Sequence, residues 1–409
     1  MAALPVYVQI PNYYTAQLGL PLASTGLVLF FARLFDTVQD PFIGQVIDKF
    51  GCSNKKWLIL SGFLLSLAFA GLWLPPTWVR DSNAFLLIWL GVMLSIAYTA
   101  HSMLNIAYLA WGSSLETPGQ EIGQAEVLSH QLLGASAWRE AFGMIGVILA
   151  SILPSWILLQ DQTQATTQLS QYAAGFSIVV GIALAALLMG APLPAKRTTQ
   201  AIAAVKTLLK NSQFVALLRI YFFNSLSVAI PASLILFFIN DRIQAPEKTA
   251  LFLSSYFIAG ACGLPVWIRL AKRFGTQQCW QLGMLIAILS FVSASLLGPG
   301  DHIGFLCVCI ASGFALGADL ALPPVLLTLV VNDKGNMGSY FGLWSLIGKF
   351  TLALAGLSLS LLAILNYHPS QVNHTNGLMA LSFTYAVLPC AFKLIAFFLL
   401  RHFSKSIPS

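Results

Sequence analysis

Charged residues are scarce in this sequence. Asp, Glu, Lys and Arg make up only 9% of its 409 residues, 57% are hydrophobic, and the mean hydropathy is +0.79. A soluble domain averages about 25% charged residues, so this chain has too few charges to cover a water-soluble surface of its size. A helix needs about 20 mostly apolar residues to cross a bilayer, where every backbone polar group must be bonded within the segment. The composition therefore predicts an all-α membrane protein.

Other absences exclude further classes. The N-terminus has no basic segment and no A-x-A site, so we expect no cleavable signal. The motifs H-E-x-x-H and G-x-S-x-G are missing, as are repeated filter residues, which argues against a membrane enzyme and a channel. Basic residues form no patch with interleaved aromatics, so no nucleic acid is expected, and we predict neither a metal nor a cofactor. Six cysteines lack the spacing of a disulfide scaffold or a C-x-x-C motif; they are Cys52, Cys262, Cys279, Cys307, Cys309 and Cys390.

Long apolar runs occur twelve times along the chain. Gly317 and the Pro323-Pro324 pair are expected to interrupt the tenth run, as in the broken helices of transporters. The predicted spans are 2–19, 22–47, 57–76, 84–110, 137–159, 172–194, 214–240, 249–270, 277–298, 302–331, 338–365 and 376–400.

A basic connection divides these spans into two sets of six. We predict an N-terminal six-helix bundle over 1–194, a cytoplasmic loop between the bundles over 195–213, and a C-terminal six-helix bundle over 214–409. The halves echo each other, since D-K-F-G at 48–51 corresponds to K-R-F-G at 272–275. A two-fold repeat of six spans is typical of secondary transporters, whose sites lie where the repeats meet.

Lysine and arginine placement predicts the orientation. Fourteen of them lie in the C-terminal tail and the loops of one side, against three on the other side. The positive-inside rule then predicts that both termini are cytoplasmic. We expect the protein to lie in the cell membrane. The first span, 2–19, reaches only about 27 Å as a helix, against a hydrocarbon core of about 30 Å. We therefore expect it to lack its cytoplasmic half, with Met1 not the true start; the alternative is a short span buried in protein.

The second run carries three charged residues, Arg33, Asp36 and Asp40, at spacings of three and four. Such spacings share a helical face, and each charge buried in a bilayer costs at least about 2.5–3.5 kcal/mol. We therefore expect all three to face the protein interior or water. Two carboxylates one turn apart repel each other, so one should hold a proton or share a cation, and Pro41 frees the Thr37 carbonyl as a further ligand. The alternative is a structural Arg33–Asp36 pair with Asp40 near the cytoplasmic edge.

The segment 33–44, R-L-F-D-T-V-Q-D-P-F-I-G, resembles the signature of the glycoside–pentoside–hexuronide:cation symporters. This family is the melibiose permease-like branch of the major facilitator superfamily. The resemblance implies a twelve-helix fold in two six-helix halves that works by alternating access. It also implies that Asp36 and Asp40 bind the co-transported cation.

The same resemblance extends more loosely along the chain. It implies that Ser102 and Asn105 join the cation site, that Arg139 contacts sugar and that Lys349 forms a salt bridge near the cation. Asn105 departs from the family, which has an aspartate there, and so does Gln39, where the family has asparagine. With one anionic oxygen ligand fewer, proton coupling is favoured over Na⁺.

Polar aromatic residues suggest where a solute binds. Tyr98 and Tyr108 lie on or near the Ser102–Asn105 face of the fourth run, and Tyr14 lies in the first. Such rings suit a sugar or another polyol, whose C–H faces stack on them. We predict Arg139, Asn105 and these tyrosines as the solute site.

Two lysines lie inside apolar runs. Lys349 needs a carboxylate partner or a water-filled cavity. It pairs either with Asp319 of the tenth run, as a static or a coupling pair, or with Asp36 or Asp40 across the halves. Lys393, near the end of the last run, is expected to snorkel to the cytoplasmic face.

Together these patterns predict a monomeric secondary transporter that carries a small polar solute, most simply a sugar or glycoside, with H⁺ or Na⁺. Its partners are the solute and the lipid bilayer. An alternative cargo is a lysophospholipid or another amphiphile, given the 28 phenylalanines. The alternative from another class is a polytopic membrane enzyme.

Overall fold

Helices account for nearly all the regular structure that the computed structural model describes. The described residues are 10, 13–50, 55–113, 134, 138–143, 145–146, 157, 162–190, 205–331, 336–365, 367 and 375–404. Within them, the α-helices of eight residues or more are α1 (Leu22–Phe50), α2 (Lys55–Trp73), α3 (Asn83–Ser113), α4 (Gln162–Gly190), α5 (Ser212–Phe237), α6 (Thr249–Phe274), α7 (Thr276–Ser295), α8 (His302–Val330), α9 (Met337–Ile364), α10 (Thr375–Ser382) and α11 (Leu388–Ser404). Three π-helical segments accompany them, at Tyr13–Gln17, Phe238–Ile243 and Phe383–Val387. The prediction of an all-α chain is confirmed.

Nine helices in the described ranges are long and apolar enough to cross a membrane. Helix α1 is as long as these but carries the charges of the second run. Ten predicted spans therefore coincide with a helix, while 2–19 and 137–159 fall largely outside the described residues. On α4, Ile178, Val179 and Ile182 are each at least 60% exposed, and contiguous apolar surface of this kind is what a bilayer covers.

Two sequence expectations about helix limits are wrong. Helix α4 begins at Gln162, ten residues before the predicted 172. The prediction followed the apolar run alone, whereas the helix also includes the polar residues that precede this run. Helix α8 is continuous through Pro323 and Pro324, where we expected an interruption. A proline removes one intrahelical bond, but α8 packs against both α6 and α7, and this packing offsets the lost bond.

The chain divides into two compact units. The first contains Met1–Gly119, Phe142–Leu208 and Asp333–Leu346, so it includes the beginning of α9. The second contains Gln120–Ala141, Leu209–Asn332 and Ile347–Ser409. The predicted division into two six-helix bundles at 195–213 stays a prediction.

An aromatic cluster holds the first unit together. Phe69 of α2 stacks on Phe176 of α4, with ring centroids 3.9 Å apart. Trp73, at the end of α2, accepts a 3.0 Å hydrogen bond at its carbonyl from the Tyr13 hydroxyl. Trp89 of α3 donates to the Gly71 carbonyl of α2 at 2.8 Å. Large rings and short indole bonds therefore fix α2 against its neighbours.

Small residues bring the helices of the second unit close together. A β-carbon added at Gly317 of α8 would lie 2.9 Å from the Gly260 carbonyl oxygen of α6, and one added at Gly283 of α7 would lie 2.7 Å from the Ala318 β-carbon. Membrane helices gain packing contacts through such close approaches, because hydrocarbon provides no hydrophobic drive between them. The indole of Trp267 then spans the seam and donates to the Phe314 carbonyl at 2.7 Å.

The end of α5 is closed by bonds from elsewhere in the second unit. After α5 the π-helical segment Phe238–Ile243 ends with the Ile243 carbonyl, which accepts a 3.1 Å bond from the Gly300 amide. Tyr367, which follows α9, donates its hydroxyl to Asp241 Oδ2. Burial and this hydrogen bond raise the pKa of the Tyr367 hydroxyl, so Tyr367 remains a donor at any physiological pH.

Glycines on α9 let it approach α1 within the first unit. A β-carbon on Gly342 would lie 2.6 Å from the Asp40 carbonyl oxygen and 3.1 Å from the Pro41 α-carbon. Both contacts are with backbone, which cannot move aside as a flexible side chain can. The close approach of α1 and α9 therefore depends on glycine at this position.

Gly342→Ala should lower the free energy of unfolding by about 1–3 kcal/mol, the cost of overpacking a tight contact. Gly356→Ala is the matched control, since Gly356 lies on the same helix with nothing within 4 Å of an added β-carbon. Thermal unfolding of both variants in detergent measures the difference. Equal melting temperatures would contradict the close approach.

Candidate functional site

Helix α1 carries two buried carboxylates. Asp36 is 5% exposed and Asp40 is 0% exposed, and the four-residue spacing puts them one turn apart. Arg33 lies on the same helix but is exposed. The structure therefore separates the two acids from the arginine in burial, although the sequence grouped all three.

Asp36 is held by donors from α1 and α3. Gln39 donates its Nε2 to Asp36 Oδ1 at 3.2 Å, and Ser102 Oγ donates to the same oxygen at 3.4 Å. Thr99 of α3 donates to Gln39 Oε1 at 2.6 Å, which fixes the orientation of that amide. Ser102, a predicted member of the cation site, is thus beside Asp36. The sequence gives no sign of the Thr99–Gln39 hydrogen bond, because it joins two helices and depends on their packing.

Asp40 is held by α9. Ser345 Oγ donates to Asp40 Oδ2, one turn after the close contact at Gly342. Ser345 was not predicted, but its signal is present in the sequence. Small residues at 338, 342 and 345 recur at helical spacing on one face of α9, a pattern that indicates close helix packing. The Ser345 hydroxyl reaches Asp40 because the small side chains on this face of α9 allow the two helices to approach closely.

Asp48 locks α1 to the start of α9. Its carboxylate accepts from the Gly338 amide at 2.8 Å, from the Ser339 amide at 2.7 Å and from the Ser339 hydroxyl at 2.5 Å. A carboxylate at a helix N-terminus pairs with unsatisfied amides and with the positive end of the helix dipole. This residue therefore acts as a cap between two helices.

The predicted polar aromatic residues of the first unit are mostly core residues. Tyr14 is 0% and Tyr98 is 4% exposed, and both belong to the hydrophobic cluster around Phe69. Tyr108 and Asn105 on α3 are half-buried, with Asn105 one turn beyond Ser102. Their role in binding a solute stays a prediction.

Arg139 has a partner that the sequence did not suggest. Its guanidinium donates to Oε1 of the adjacent Glu140, from Nε at 2.9 Å and from Nη2 at 2.5 Å. Both residues belong to the second unit. The next residue, Ala141, packs against Leu264 and Ala321. A role for Arg139 in solute binding stays a prediction.

The second unit contains a buried ion pair that sequence reasoning assigned wrongly. Lys393 Nζ lies 2.5 Å from Asp319 Oδ2, with both side chains at most 6% exposed. We expected Lys393 to snorkel to water, which is wrong, because the carboxylate on α8 holds it inside. Lys349 was expected to pair with Asp319 or with an acid of the other half. It is half-buried on α9, and the lysine that occupies Asp319 is Lys393.

Two neutral donors complete the surroundings of Asp319. Asn224 Nδ2 of α5 donates to Asp319 Oδ1 at 3.1 Å, and the Trp280 indole of α7 donates to the same oxygen at 2.9 Å. The Asn224 Oδ1 is buried and has no donor among the described residues. The carboxylate is thus fully hydrogen-bonded, as a buried charge requires.

A cavity of about 120 Å³ opens beside this ion pair. Its wall is mostly apolar and comes from α5, α6, α7, α8, α11 and the π-helical segment Phe383–Val387. The polar groups on it are Tyr256, Ser312, Asp319, Tyr385 and Lys393. All of its lining residues belong to the second unit. Within the described ranges, no three His, Cys, Asp or Glu side chains converge as metal ligands.

The sequence profile of the family described as MFS/sugar transport protein matches residues 1–405. The chain belongs to this family. MFS membership, together with the fold, points to a transporter rather than an enzyme. It also places the chain among multi-pass membrane proteins that act on small-molecule solutes.

Symporters from several organisms are similar to this MFS chain. The sodium-dependent lysophosphatidylcholine symporter 1 of Gallus gallus is 20% identical over 424 residues, which cover 92% of this chain and 79% of the relative. An uncharacterized symporter of Bacillus subtilis is 19% identical over 429 residues, which cover 96% and 86%. Both alignments extend over most of each protein.

Solved structures confirm the predicted major facilitator fold. A bacterial homologue of the iron transporter ferroportin, in an outward-facing state, superimposes with a TM-score of 0.75 at 14% identity and covers 98% of this chain and 95% of its own. The major facilitator transporter FucP in its outward conformation gives a TM-score of 0.68 at 15% identity, with 92% and 89% covered. At these identities the likeness concerns the fold alone.

Lys393→Met should destabilise the protein by about 3–5 kcal/mol, because it leaves the Asp319 carboxylate buried without its cation. Adding Asp319→Asn should recover most of that loss, so the two changes should be strongly non-additive. Thermal unfolding of both single variants and the double variant gives the interaction energy. Lys272→Met, at an exposed lysine of the same unit, is the matched control. Additive losses would show that the pair contributes nothing specific.

Proposed function

We propose that this MFS protein is a cation-coupled symporter of the melibiose permease-like branch, which carries a small polar solute by alternating access. The burial of two carboxylates one turn apart, at 5% and 0% exposure, carries the proposal. Acids are rare inside membrane helices and typically belong to ion or proton pathways. The co-transported ion is H⁺ or Na⁺, and the solute is a sugar or glycoside.

The chemistry of Asp36 and Asp40 suits a cation that comes and goes. Two carboxylates one turn apart destabilise each other when both are charged. A proton or a Na⁺ ion relieves that repulsion, and hydroxyl and carbonyl oxygens are the further ligands that a hard cation prefers. Ser102 and Ser345 contribute such oxygens. Each hydroxyl can give up its bond to the carboxylate and turn a lone pair towards the ion.

Coupling requires that the cation bind one conformation differently when solute is present. Asn105 extends the Ser102 face towards the solute, and Arg139, Tyr98, Tyr108 and Tyr14 are the remaining proposed solute contacts. Arg33 and Lys349 are the proposed coupling charges, with Asp319 engaged by Lys393. We further propose a monomer in the cell membrane with both termini in the cytoplasm, as the positive-inside rule indicates.

A second candidate solute is an amphiphile such as a lysophospholipid. The 28 phenylalanines favour it, since an amphiphile needs a binding cavity rich in apolar side chains. Relatives named as lysophosphatidylcholine symporters in Gallus gallus and Homo sapiens support the same candidate. Both candidates use the same cation pair.

Asp36→Asn and Asp40→Asn should each abolish gradient-driven accumulation, because a neutral amide neither takes up a proton nor binds Na⁺ as a carboxylate does. Uptake into proteoliposomes with an imposed H⁺ or Na⁺ gradient measures this effect. Asp81→Asn, at an exposed acid, should accumulate solute like the unchanged protein. Full concentrative uptake by both site variants would refute the proposed mechanism.

A substrate panel in the same proteoliposomes separates the two solute classes. Labelled glycosides and a labelled lysophosphatidylcholine are compared, each with and without the gradient. We expect gradient-dependent glycoside uptake that is lost in Asp36→Asn. Uptake of the lysolipid alone, lost in the same variant, would instead establish the amphiphile.

A further inference from the structure

We propose that the cavity of the second unit binds an organic anion with an apolar body, whose carboxylate or phosphate group is held by Lys393 while Asp319 takes up a proton. This site lies wholly within the second unit and does not involve Asp36 or Asp40. It therefore goes beyond the proposed symport and does not depend on it.

The polar side of the cavity is rich in donors. An ammonium has three N–H groups, and Lys393 gives one of them to Asp319 Oδ2. Tyr256 and Tyr385 also line the cavity, and neither hydroxyl bonds to any other described residue. Asp319 is already satisfied by three donors. The unused groups are therefore donors that call for a ligand with acceptor oxygens.

The apolar side of the cavity specifies the rest of the ligand. Its wall includes Val228, Ile235, Leu253, Phe291 and Leu316. An apolar cavity of about 150 Å³ accommodates benzene, so the 120 Å³ observed here suits one ring-sized apolar body. A small inorganic anion would leave this surface dry and unfilled.

Charge balance links the anion to a proton. Asp319 and Lys393 form a neutral pair, so an anion that takes the ammonium leaves a buried net charge of −1 unless a proton enters. Buried groups neutralise rather than bear such a cost. An acceptor for that proton is already present, because the buried Asn224 Oδ1 has no donor among the described residues and belongs to the amide that bonds Asp319. Protonated Asp319 can donate to it once Lys393 has moved to the anion.

Other titratable groups around the pair keep their protons in the process. Tyr256 of α6 faces Asp319, Cys309 of α8 and Tyr385 lie beside Tyr256, and Cys390 of α11 lies in the field of Lys393. All four are neutral acids in this apolar setting. Asp319 is therefore the group that changes its charge when the anion binds.

Isothermal titration calorimetry of the purified full chain in detergent tests the proposal, with benzoate as the probe. Repeating the titration in buffers of different ionisation enthalpy counts the protons taken up. We expect about one proton per benzoate, and an affinity that rises up to about tenfold for each unit that the pH falls between 8 and 6. Benzoate remains an anion there, because carboxyl pKa values lie near about 4. Zero proton uptake by the unchanged protein overturns the proposal.

Three further probes define the ligand class. Phenyl phosphate should bind as benzoate does, whereas neutral benzamide and inorganic phosphate should each bind at least about tenfold more weakly, a difference of about 1.4 kcal/mol. Inorganic phosphate that binds as tightly as benzoate would overturn the need for an apolar body. Benzamide that binds equally would overturn the role of the ammonium.

The variants make opposite predictions for the two partners. Asp319→Asn removes the competitor for Lys393, so benzoate should bind more tightly at pH 8 and without proton uptake. Adding Lys393→Gln to it should abolish binding, while Lys272→Gln, at an exposed lysine, should change nothing. Weaker binding by Asp319→Asn, or retained binding by the double variant, would overturn the proposal.

Two tyrosine variants keep the test decisive if the charge variants fail to fold. Tyr256→Phe and Tyr385→Phe remove one donor each and strand no charge, so each should weaken benzoate binding by roughly fivefold, the usual effect of one hydrogen bond. Unchanged affinity in both variants counts against the site.

Discussion

The constraint on which this structure depends is the cost of a charge in hydrocarbon. Each buried acid discussed above is matched by a different device. Asp48 sits at the N-terminus of α9 and accepts two backbone amides. Asp40 accepts a hydrogen bond from the Ser345 hydroxyl of the same helix, and Asp319 forms an ion pair with the Lys393 ammonium. Because water is absent from the bilayer core, each acid must find donors within the protein. The position of each buried acid therefore depends on how the helices pack, because neighbouring helices supply its donors.

Small residues make those donors reachable. Ser345 contacts Asp40 because Gly342 lets the backbones of α1 and α9 touch, and Gly338 lets the carboxylate of Asp48 reach the helix end. In the second unit Gly317 and Gly283 draw α6 and α7 onto α8, the helix that carries Asp319. Close packing, which in a membrane must replace the hydrophobic drive between helices, thus also delivers the polar partners.

The sequence predicted those features that depend on local pattern. Apolar runs gave ten helices near their observed positions, and spacing on α1 grouped Asp36 with Asp40, which are both buried. The family resemblance pointed to Ser102, which donates to Asp36. Features that depend on tertiary packing were missed. Lys393 lies near the end of its run, where a lysine can usually reach water. Its burial is decided by an acid 74 residues away along the chain, and no local pattern contains that information.

Ser345 and the prolines of α8 illustrate the same limit from opposite directions. The contact of Ser345 with Asp40 depends on the packing of α9 against α1, so the sequence does not predict it. The sequence does show the small-residue spacing around Ser345. Pro323 and Pro324 looked decisive, because a proline removes a backbone bond. Yet α8 stays continuous through them, since neighbouring helices of the unit hold it on both sides. Tertiary packing thus offsets the backbone hydrogen bonds that the prolines of α8 remove. It also gives Ser345 a role that the local sequence does not indicate.

The polar clusters at Asp36/Asp40 and at Asp319/Lys393 are proposed to bind ligands of opposite charge. Asp36 and Asp40 accept hydrogen bonds from hydroxyl and amide groups, and in the proposed symport a proton or Na⁺ joins these acceptors. Asp319 already has a full positive charge beside it, and in the second proposal an anion takes the ammonium from this carboxylate. Each cluster bears a desolvation cost, which a cation would offset in the first proposal and an anion together with a proton in the second. Under the two proposals, the buried ammonium of Lys393 is what makes the second-unit site one for an anion.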